Sequence, residues 1–276
     1  MSRTGDAEIL VAARRALLDA MEALDDQRAA VVLIGAQAIY LHTGGAPVAL
    51  AEATKDTDLA IDPRVLHEDP LIEEAMRRAG FVPDPIGGQP GSWISPDGIP
   101  VDLMVPEMLA GPTSRRGGRI PPHSDRATRR ATGLEAAVID HAPMIVSSLD
   151  PNDGRSTEIE VAGPAALLVA KLHKIGEIQD NPRRLLDKDA HDIYRLLVAT
   201  ETGALATTLV ELQGTDLAGN VTRQAMAHME ELFAAGPDAL GATMAGRAEE
   251  LVGSPATVSA AVATLAAELL AAVQSS

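Results

Sequence analysis

The sequence contains no cysteine and very few aromatic residues. Its 276 residues include one Trp, two Tyr and two Phe. The absence of cysteine excludes disulfide bonds and thiolate metal sites, and it favours a reducing compartment. Because bulky rings are scarce, the core must be built mainly from Ala, Val and Leu, so we expect helix-rich packing of small side chains.

Basic residues are outnumbered by acidic ones, and the formal net charge is −16. Such a charge opposes nonspecific binding to nucleic acid. The imbalance is uneven, because residues 115–195 contain 13 Lys or Arg and 12 Asp or Glu, whereas the rest of the chain contains 10 and 27. The arginines of the middle third are either a phosphate-binding surface or ordinary solvated charge.

Long uninterrupted apolar runs are also missing. The first residues carry scattered charges and have no apolar core of the kind that signal peptides need. The most apolar late segment, 258–273, is interrupted by Glu268 and is shorter than the ~20 residues of a membrane span. We therefore expect a soluble, cytoplasmic protein without a membrane partner.

The first chemical motif lies in residues 31–62. A buried strand over 31–34 ends in Gly35, a helix over 36–42 follows, and a second strand over 55–62 carries Asp56 and Asp58. Strand side chains alternate between faces, so these two carboxylates share one face about 7 Å apart. They repel each other unless a cation is present, and Mg²⁺ prefers carboxylate oxygens. Gly35 permits a ligand to approach the backbone, and the following helix N-terminus suits a phosphate.

A third carboxylate, Asp102, lies inside an apolar strand. Residues 92–95 and 99–105 predict a β-hairpin with its turn at 96–98. A buried, unpaired carboxylate is costly, so Asp102 needs a cation or a hydrogen-bond partner. The irregular stretch 106–132 that follows is rich in arginine, and it is interpreted as a basic loop that contacts RNA or as a polar insertion.

The sequence predicts that the C-terminal part, from residue 164 onward, is helical. A helix over 164–177 carries Lys171 and Lys174, and a helix over 187–197 carries Asp189 and Asp192 on one face. A salt bridge of purely structural role is the alternative for these residues. Other predicted helices span 6–28, 63–80, 203–213, 219–234, 238–252 and 256–273, and other predicted strands span 137–146 and 157–161.

The order of these motifs resembles the nucleotidyltransferase superfamily with the DNA polymerase β-like fold. Within it, the sequence Lys-Asp-x-x-Asp-Ile-Tyr-Arg-Leu-Leu over 188–197, after a lysine-bearing helix, is most similar to the AbiEii/MenT group of toxins. The resemblance implies an α+β protein whose mixed sheet is flanked by helices and followed by a helical bundle. We expect a catalytic domain at 1–162 and a helical domain at 163–276 that adds Lys171 and the 187–197 helix to the site.

The resemblance also implies roles for individual residues. Asp56, Asp58 and Asp102 correspond to catalytic metal ligands for Mg²⁺. Lys171, with Lys174 as the second candidate, corresponds to the phosphate contact, and Asp189 or Asp192 to a later acid needed for activity. Gly35 and Lys55 would also face the nucleotide. The chain departs from many superfamily members at Ala36, where Ser or Gly is frequent, and at Lys55, where Arg is frequent.

The expected activity is transfer of an NMP unit from an NTP to RNA, with the tRNA 3′ end as the acceptor that the toxin resemblance implies. A cognate antitoxin protein is the partner expected from the same family. Two alternatives stay open: transfer to a small molecule, as in aminoglycoside nucleotidyltransferases, and a non-catalytic nucleotide-binding module. The acidic net charge favours a cationic small acceptor, whereas the basic middle third favours RNA.

Overall fold

The computed structural model describes residues 3–44, 56–112, 116–181, 183–250 and 253–276. Within these ranges the chain forms nine α-helices and eight strands, and the strands join in one open mixed sheet. The predicted α+β class is therefore confirmed. The narrower assignment to a nucleotidyltransferase-type fold remains a proposal.

The elements are numbered in chain order. The strands are β1 Val31–Ile34, β2 Thr57–Ile61, β3 Val82–Pro83, β4 Ser92–Ile94, β5 Pro100–Pro106, β6 Arg129–Ala131, β7 His141–Ser147 and β8 Ser156–Ala162. The helices are α1 Arg3–Ala23, α2 Gly35–Thr43, α3 Ile72–Arg78, α4 Pro164–Gly176, α5 Asp187–Ala199, α6 Thr202–Gln213, α7 Gly219–Met229, α8 Leu240–Arg247 and α9 Pro255–Ser275. A π-helical stretch, Glu230–Ala234, extends α7.

The chain divides into two compact units. The first comprises Met1–Ala38, Ala53–Leu134 and His141–Ala162, and the second comprises Ile39–Glu52, Glu135–Asp140 and Gly163–Ser276. One division falls between Ala162 and Gly163, where the sequence predicted a domain boundary. The two shorter segments that group with the helical unit were not anticipated, because nothing in their composition marks them.

The first unit is built on the sheet, whose main strand order is β3-β4-β5-β2-β1-β8-β7. Strand β1 is antiparallel to β2 and parallel to β8, and β2 is parallel to β5. On its other side, β5 pairs first with β4 and then, from Met104 onward, with β6. The central strands are thus hydrogen-bonded on both sides, which fixes their register.

Helix α1 covers one face of this sheet. The Thr57 hydroxyl of β2 donates to the Ala13 carbonyl oxygen of α1 at 3.1 Å. Leu17 of α1, Leu33 of β1 and Leu59 of β2 are fully buried. Because side chains alternate along β2, Asp58 points to the face opposite Thr57 and Leu59. The sequence pattern therefore buries one face of the sheet and leaves the face with the aspartates partly open.

Three predicted elements differ from the structure. The helix expected from Pro63 is confined to α3, Ile72–Arg78, because Pro70 has no N–H to donate and its ring clashes with a preceding helical turn. The strand expected over 137–146 begins only at His141, and residues 133–140 form turns. Helix α1 also ends earlier than predicted, at Ala23, and a 3₁₀ turn, Asp25–Ala30, leads into β1.

The second unit is a helical assembly in which α4 packs on α5, α6 and α7, and α9 packs on α6 and α8. Helix α4 starts at Pro164, whose fixed φ suits a first helical position. The Asp140 carboxylate accepts a hydrogen bond from the Ala166 N–H at 2.9 Å, so a residue distant in sequence satisfies one of the free donors of this helix.

Helix α9 corrects the sequence prediction on length. It runs over Pro255–Ser275, and among the described residues it is the one helix long and apolar enough to cross a membrane, with a mean hydropathy of 1.8 over its best window. About a third of that window is buried, through residues such as Val258, Val262 and Leu269. Length and composition alone also fit a packed core helix.

Candidate functional site

Two of the predicted metal-binding aspartates lie side by side on the open face of the first unit. Asp58 on β2 and Asp102 on β5 are direct partners in the parallel register of these strands. Neighbouring strands are about 4.8 Å apart, so the two side chains project from adjacent positions on one face. Both are partly exposed, whereas their sequence neighbours Leu59 and Leu103 are fully buried. We refer to Asp58 and Asp102 as the acid pair.

The backbone at Gly35 closes against the acid pair. Strand β1 ends at Ile34, which pairs with Asp58, and Gly35 then turns the chain into α2 with a φ of +68°. A Cβ atom at Gly35 would lie 2.2 Å from an Asp58 carboxylate oxygen, so a side chain is excluded on steric grounds. The start of α2, with its free N–H groups, therefore lies beside a carboxylate.

The other predicted nucleotide-site residues of this segment are placed differently. Asp56 immediately precedes β2 and is exposed, and Lys55 lies outside the described residues. In the part of the chain that the structure describes, no group of three or more His, Cys, Asp or Glu side chains is arranged to hold a metal ion. The predicted set of Asp56, Asp58 and Asp102 is thus not assembled as three ligands, and the acid pair is what remains.

Asp102 has the cationic partner that its apolar strand predicted, and that partner is Arg129. The Arg129 Nη2 donates to Asp102 Oδ2 at 2.8 Å and contacts the Met104 sulfur at 3.3 Å. The sequence indicated that a cation or hydrogen-bond donor was needed but not which one, because Arg129 reaches Asp102 only through the pairing of β6 with β5.

The donor chemistry of the acid pair fits Mg²⁺. Both side chains offer hard carboxylate oxygens at adjacent positions, and Mg²⁺ is usually bound by one or two carboxylates together with substrate phosphates. Arg129 engages one oxygen of Asp102 through a single N–H group. The pair therefore suits a weakly held ion that needs a further oxygen ligand, rather than a closed structural metal site.

The remaining arginines of the 106–132 stretch have varied surroundings. Arg116, Arg119 and Arg126 are exposed, and within the described ranges none of them pairs with a carboxylate. The Arg126 guanidinium donates to the Gly88 carbonyl oxygen at 3.0 Å. Arg130, by contrast, pairs with Glu107 at 3.3 Å. Residues 113–115 lie outside the described residues, and the rest of the stretch is tied to the sheet through β6.

The predicted lysines and later acids meet in the second unit. The Lys171 ammonium on α4 lies 2.7 Å from Asp189 and 2.7 Å from Asp192, both on α5. Lys174, one turn later, contacts Asp189 at 2.8 Å. We call these four residues the lysine–aspartate cluster. Since both aspartates contact Lys171, the choice between them as the later acid is not decided by proximity.

Burial and charge act in opposite directions within the cluster. Burial alone would lower the pKa of Lys171, but the attraction and hydrogen bonds of Asp189 and Asp192 outweigh it and raise that pKa. Burial would raise the pKa of Asp189, but Lys171 and Lys174 lower it to about 2. Lys171 and Asp189 are thus both charged at neutral pH, although both are buried.

The two lysines differ in their access to a ligand. The Lys171 side chain is 10% exposed and its ammonium forms ion pairs with two carboxylates. The Lys174 side chain is 50% exposed and its ammonium forms an ion pair with one. The structural salt bridge that the sequence left as an alternative is therefore present at Lys171. The Lys174 ammonium is therefore the more exposed of the two.

These observations define a mixed α+β protein with a carboxylate pair on the open face of its sheet. Comparisons with protein-family models, with curated proteins and with solved structures found no match. What the chain does must therefore be inferred from its own residues and from the resemblance of its motifs.

Proposed function

We propose that this chain is a Mg²⁺-dependent nucleotidyltransferase that transfers an NMP unit from an NTP to an RNA acceptor. The observation that carries the proposal is the direct register of Asp58 with Asp102, together with the contact of Gly35 with Asp58. Adjacent carboxylates beside a helix N-terminus suit a site for a cation and a phosphate. The tRNA 3′ end and a cognate antitoxin follow from the resemblance to the toxin group.

The chain's own residues have distinct parts in this proposal. Asp58 and Asp102 would hold the ion, and the free N–H groups at the start of α2, which lie beside Asp58, would suit a phosphate group. When bound, Mg²⁺ supplies Lewis-acid stabilisation of phosphate charge and lowers the pKa of an attacking hydroxyl. Asp56, which is exposed next to β2, is the third carboxylate that the resemblance assigns to the ion.

The lysine–aspartate cluster has a divided role. Lys171, Asp189 and Asp192 form a buried ion network that joins α4 to α5. The resemblance assigns the phosphate contact to a lysine of α4, and Lys174, with a half-exposed side chain, is more accessible to a ligand than Lys171. A lysine near transferring phosphates stabilises the negative charge that builds up in the transition state.

RNA is the acceptor class that the first unit supports. Arg116, Arg119 and Arg126 offer guanidinium groups that no carboxylate occupies among the described residues, and such groups bind phosphates in a bidentate manner. The net charge of −16 favours a cationic small molecule as the alternative acceptor.

The test incubates the purified protein with Mg²⁺, each α-labelled NTP and total tRNA. We expect label in RNA with the wild type, and a rate lower by roughly 100-fold or more with Asp58→Asn, because that variant removes a ligand of the ion. Asp216→Asn is the matched control, since Asp216 is exposed and lies in the second unit. An equal loss in both variants would contradict the assignment of Asp58.

Other outcomes separate the alternatives. Nucleotide binding that needs Mg²⁺, without transfer to RNA, would redirect the search to small-molecule acceptors. A non-catalytic nucleotide-binding module is the second candidate, because Arg129 occupies Asp102 and two carboxylates occupy Lys171. That candidate predicts nucleotide binding that neither Mg²⁺ nor Asp58→Asn changes. The absence of any nucleotide binding would overturn both.

A further inference from the structure

We propose that Arg129 is a resident counter-ion of the acid pair that exchanges partners during substrate binding. Its guanidinium neutralises Asp102 while no metal ion is bound, and it moves to the phosphates of the nucleotide when a divalent cation occupies Asp102. This inference rests on the proposed function, because it assumes that the acid pair binds Mg²⁺ and that a polyphosphate follows.

The contact between Arg129 and Asp102 is of a kind that can be broken. One N–H of Arg129 meets one carboxylate oxygen at 2.8 Å, and the side chains are 30% and 24% exposed. Partly exposed ion pairs of this kind contribute little to stability. A bidentate, buried pair would be far more costly to separate.

The backbone of Arg129, in contrast, is held firmly. Arg129 pairs with Met104 in the parallel register of β6 and β5, and it also bridges to Gly117. A Cβ atom at Gly91 would lie 2.5 Å from the Arg129 nitrogen and 2.2 Å from the Leu103 carbonyl oxygen, so the chains are in close contact there. The base of the side chain is therefore fixed beside the acid pair, while its charged end is partly in solvent.

Arg129 also differs from the other arginines of its stretch. Its neighbour Arg130 pairs with Glu107, which lies outside the acid pair. A guanidinium group binds phosphate in the same forked geometry as carboxylate. Arg129 is thus already at the site where phosphates are proposed to bind, with chemistry that suits both partners.

The test compares Arg129→Gln with Arg130→Gln. Both variants remove one positive charge from β6, but Arg130 points to the opposite side of the strand and contacts Glu107. Mn²⁺, used as a probe for the divalent ion, is titrated and the free ion is followed by electron paramagnetic resonance. Because the ion no longer competes with Arg129, we expect Arg129→Gln to bind Mn²⁺ about two- to fivefold more tightly than Arg130→Gln.

A second titration measures the binding of inorganic tripolyphosphate in the presence of Mg²⁺ by calorimetry. This probe needs no knowledge of the preferred base. We expect Arg129→Gln to bind it about tenfold more weakly than Arg130→Gln, because a charge-assisted contact to phosphate is lost. The two affinities are thus expected to change in opposite directions. A purely structural role for Arg129 would lower both.

The result that overturns the inference is an Arg129→Gln variant that matches Arg130→Gln in both titrations or binds Mn²⁺ more weakly. If Arg129→Gln fails to fold, the same two titrations are made with Arg129→Lys. It keeps the charge but not the forked donors, so Mn²⁺ binding should be unchanged and tripolyphosphate binding about threefold weaker. Unchanged tripolyphosphate binding would then overturn the inference.

Failure of the proposed function gives a different pattern. Wild-type protein that binds no Mn²⁺, or binds it equally well after Asp58→Asn and Asp102→Asn, would remove the metal site and the inference together. Mn²⁺ binding that both aspartate variants abolish, with no effect specific to Arg129, would remove the inference and leave the proposed function intact.

Discussion

At the scale of single residues, Gly35 is the position at which the backbone leaves the sheet and meets the acid pair. Its φ of +68° lies in the left-handed region, which side chains disfavour, and Asp58 occupies the space where a Cβ atom would be. Two independent restrictions therefore act on the same residue. One is conformational and the other is steric, and they can be separated by experiment.

We predict that Gly35→Ala destabilises the protein by about 3 kcal/mol, of which roughly 1 kcal/mol is backbone strain and the rest is overpacking against Asp58. Gly88→Ala is the matched control, since Gly88 has a φ of +59° and no atom lies within 4 Å of the position that its Cβ would take. That variant should lose only the strain contribution. Urea unfolding followed by circular dichroism measures both, and equal losses would show that Asp58 moves aside without cost.

The residues of the acid pair were predictable from sequence to different degrees. Asp58 follows from local alternation in β2, and Asp102 follows as a charged residue inside an apolar strand. Their shared register was only implied by resemblance, because strand pairing is not encoded locally. Arg129 could not be assigned to Asp102, since they are 27 residues apart and their contact depends on a three-residue strand.

At the scale of elements, short apolar runs with clear ends were predicted well. Strand β1 matches its prediction residue for residue, because four buried apolar side chains end at a glycine. The hairpin of β4 and β5 was also predicted, from the turn at 96–98. The prediction was wrong about the start of α3, where Pro70 interrupts an otherwise suitable apolar pattern.

The pair α4 and α5 depends on an ion network as well as on apolar packing. Lys171→Met leaves Asp192 and part of Asp189 without their cation in a buried setting. We predict a loss of about 3 to 5 kcal/mol in unfolding free energy, the usual cost of removing one partner of a buried ion pair. Thermal and urea unfolding monitored by circular dichroism provide the measurement.

Lys174→Met is the control for that prediction. It lies one turn away on the same helix, but its side chain is half-exposed, so we expect a loss of no more than about 1 kcal/mol. If the two variants were equally stable, the buried network would not hold α4 to α5. The polar contacts would then be incidental to the apolar packing of Leu168 and Ile193.

At the scale of the whole molecule, the helical unit is not one continuous stretch of chain. It includes Ile39–Glu52 and Glu135–Asp140 in addition to Gly163–Ser276. The reason is visible in two polar contacts: Asp140 accepts from the start of α4, and the buried Arg195 donates to the Thr43 hydroxyl at 2.9 Å. The domain boundary expected from sequence, between 162 and 163, would place the two partners of each contact in different domains.

We therefore predict that a fragment of residues 163–276 folds less stably than the same residues do in the full chain. Without Thr43 and Tyr40, Arg195 loses the two Thr43 oxygens that accept from it and the ring that lies 5.4 Å from its guanidinium carbon. Without Asp140, α4 loses a charged acceptor at its N-terminus, which typically costs about 1 kcal/mol. Hydrogen exchange of the amides in α4 and α5 measures the effect in both molecules.

A fragment of residues 135–276 tests how much of the lost amide protection comes from each of the two polar contacts. It restores Asp140 but not Thr43, so protection should recover at the start of α4 and remain low around Arg195 in α5. Full protection of both helices in the 163–276 fragment would mean that the contiguous helices are sufficient and that the two short segments only dock on a preformed unit. Loss of protection confined to these two places would instead show that a domain boundary drawn from composition cuts through the unit, because buried polar side chains depend on partners that lie far away in sequence.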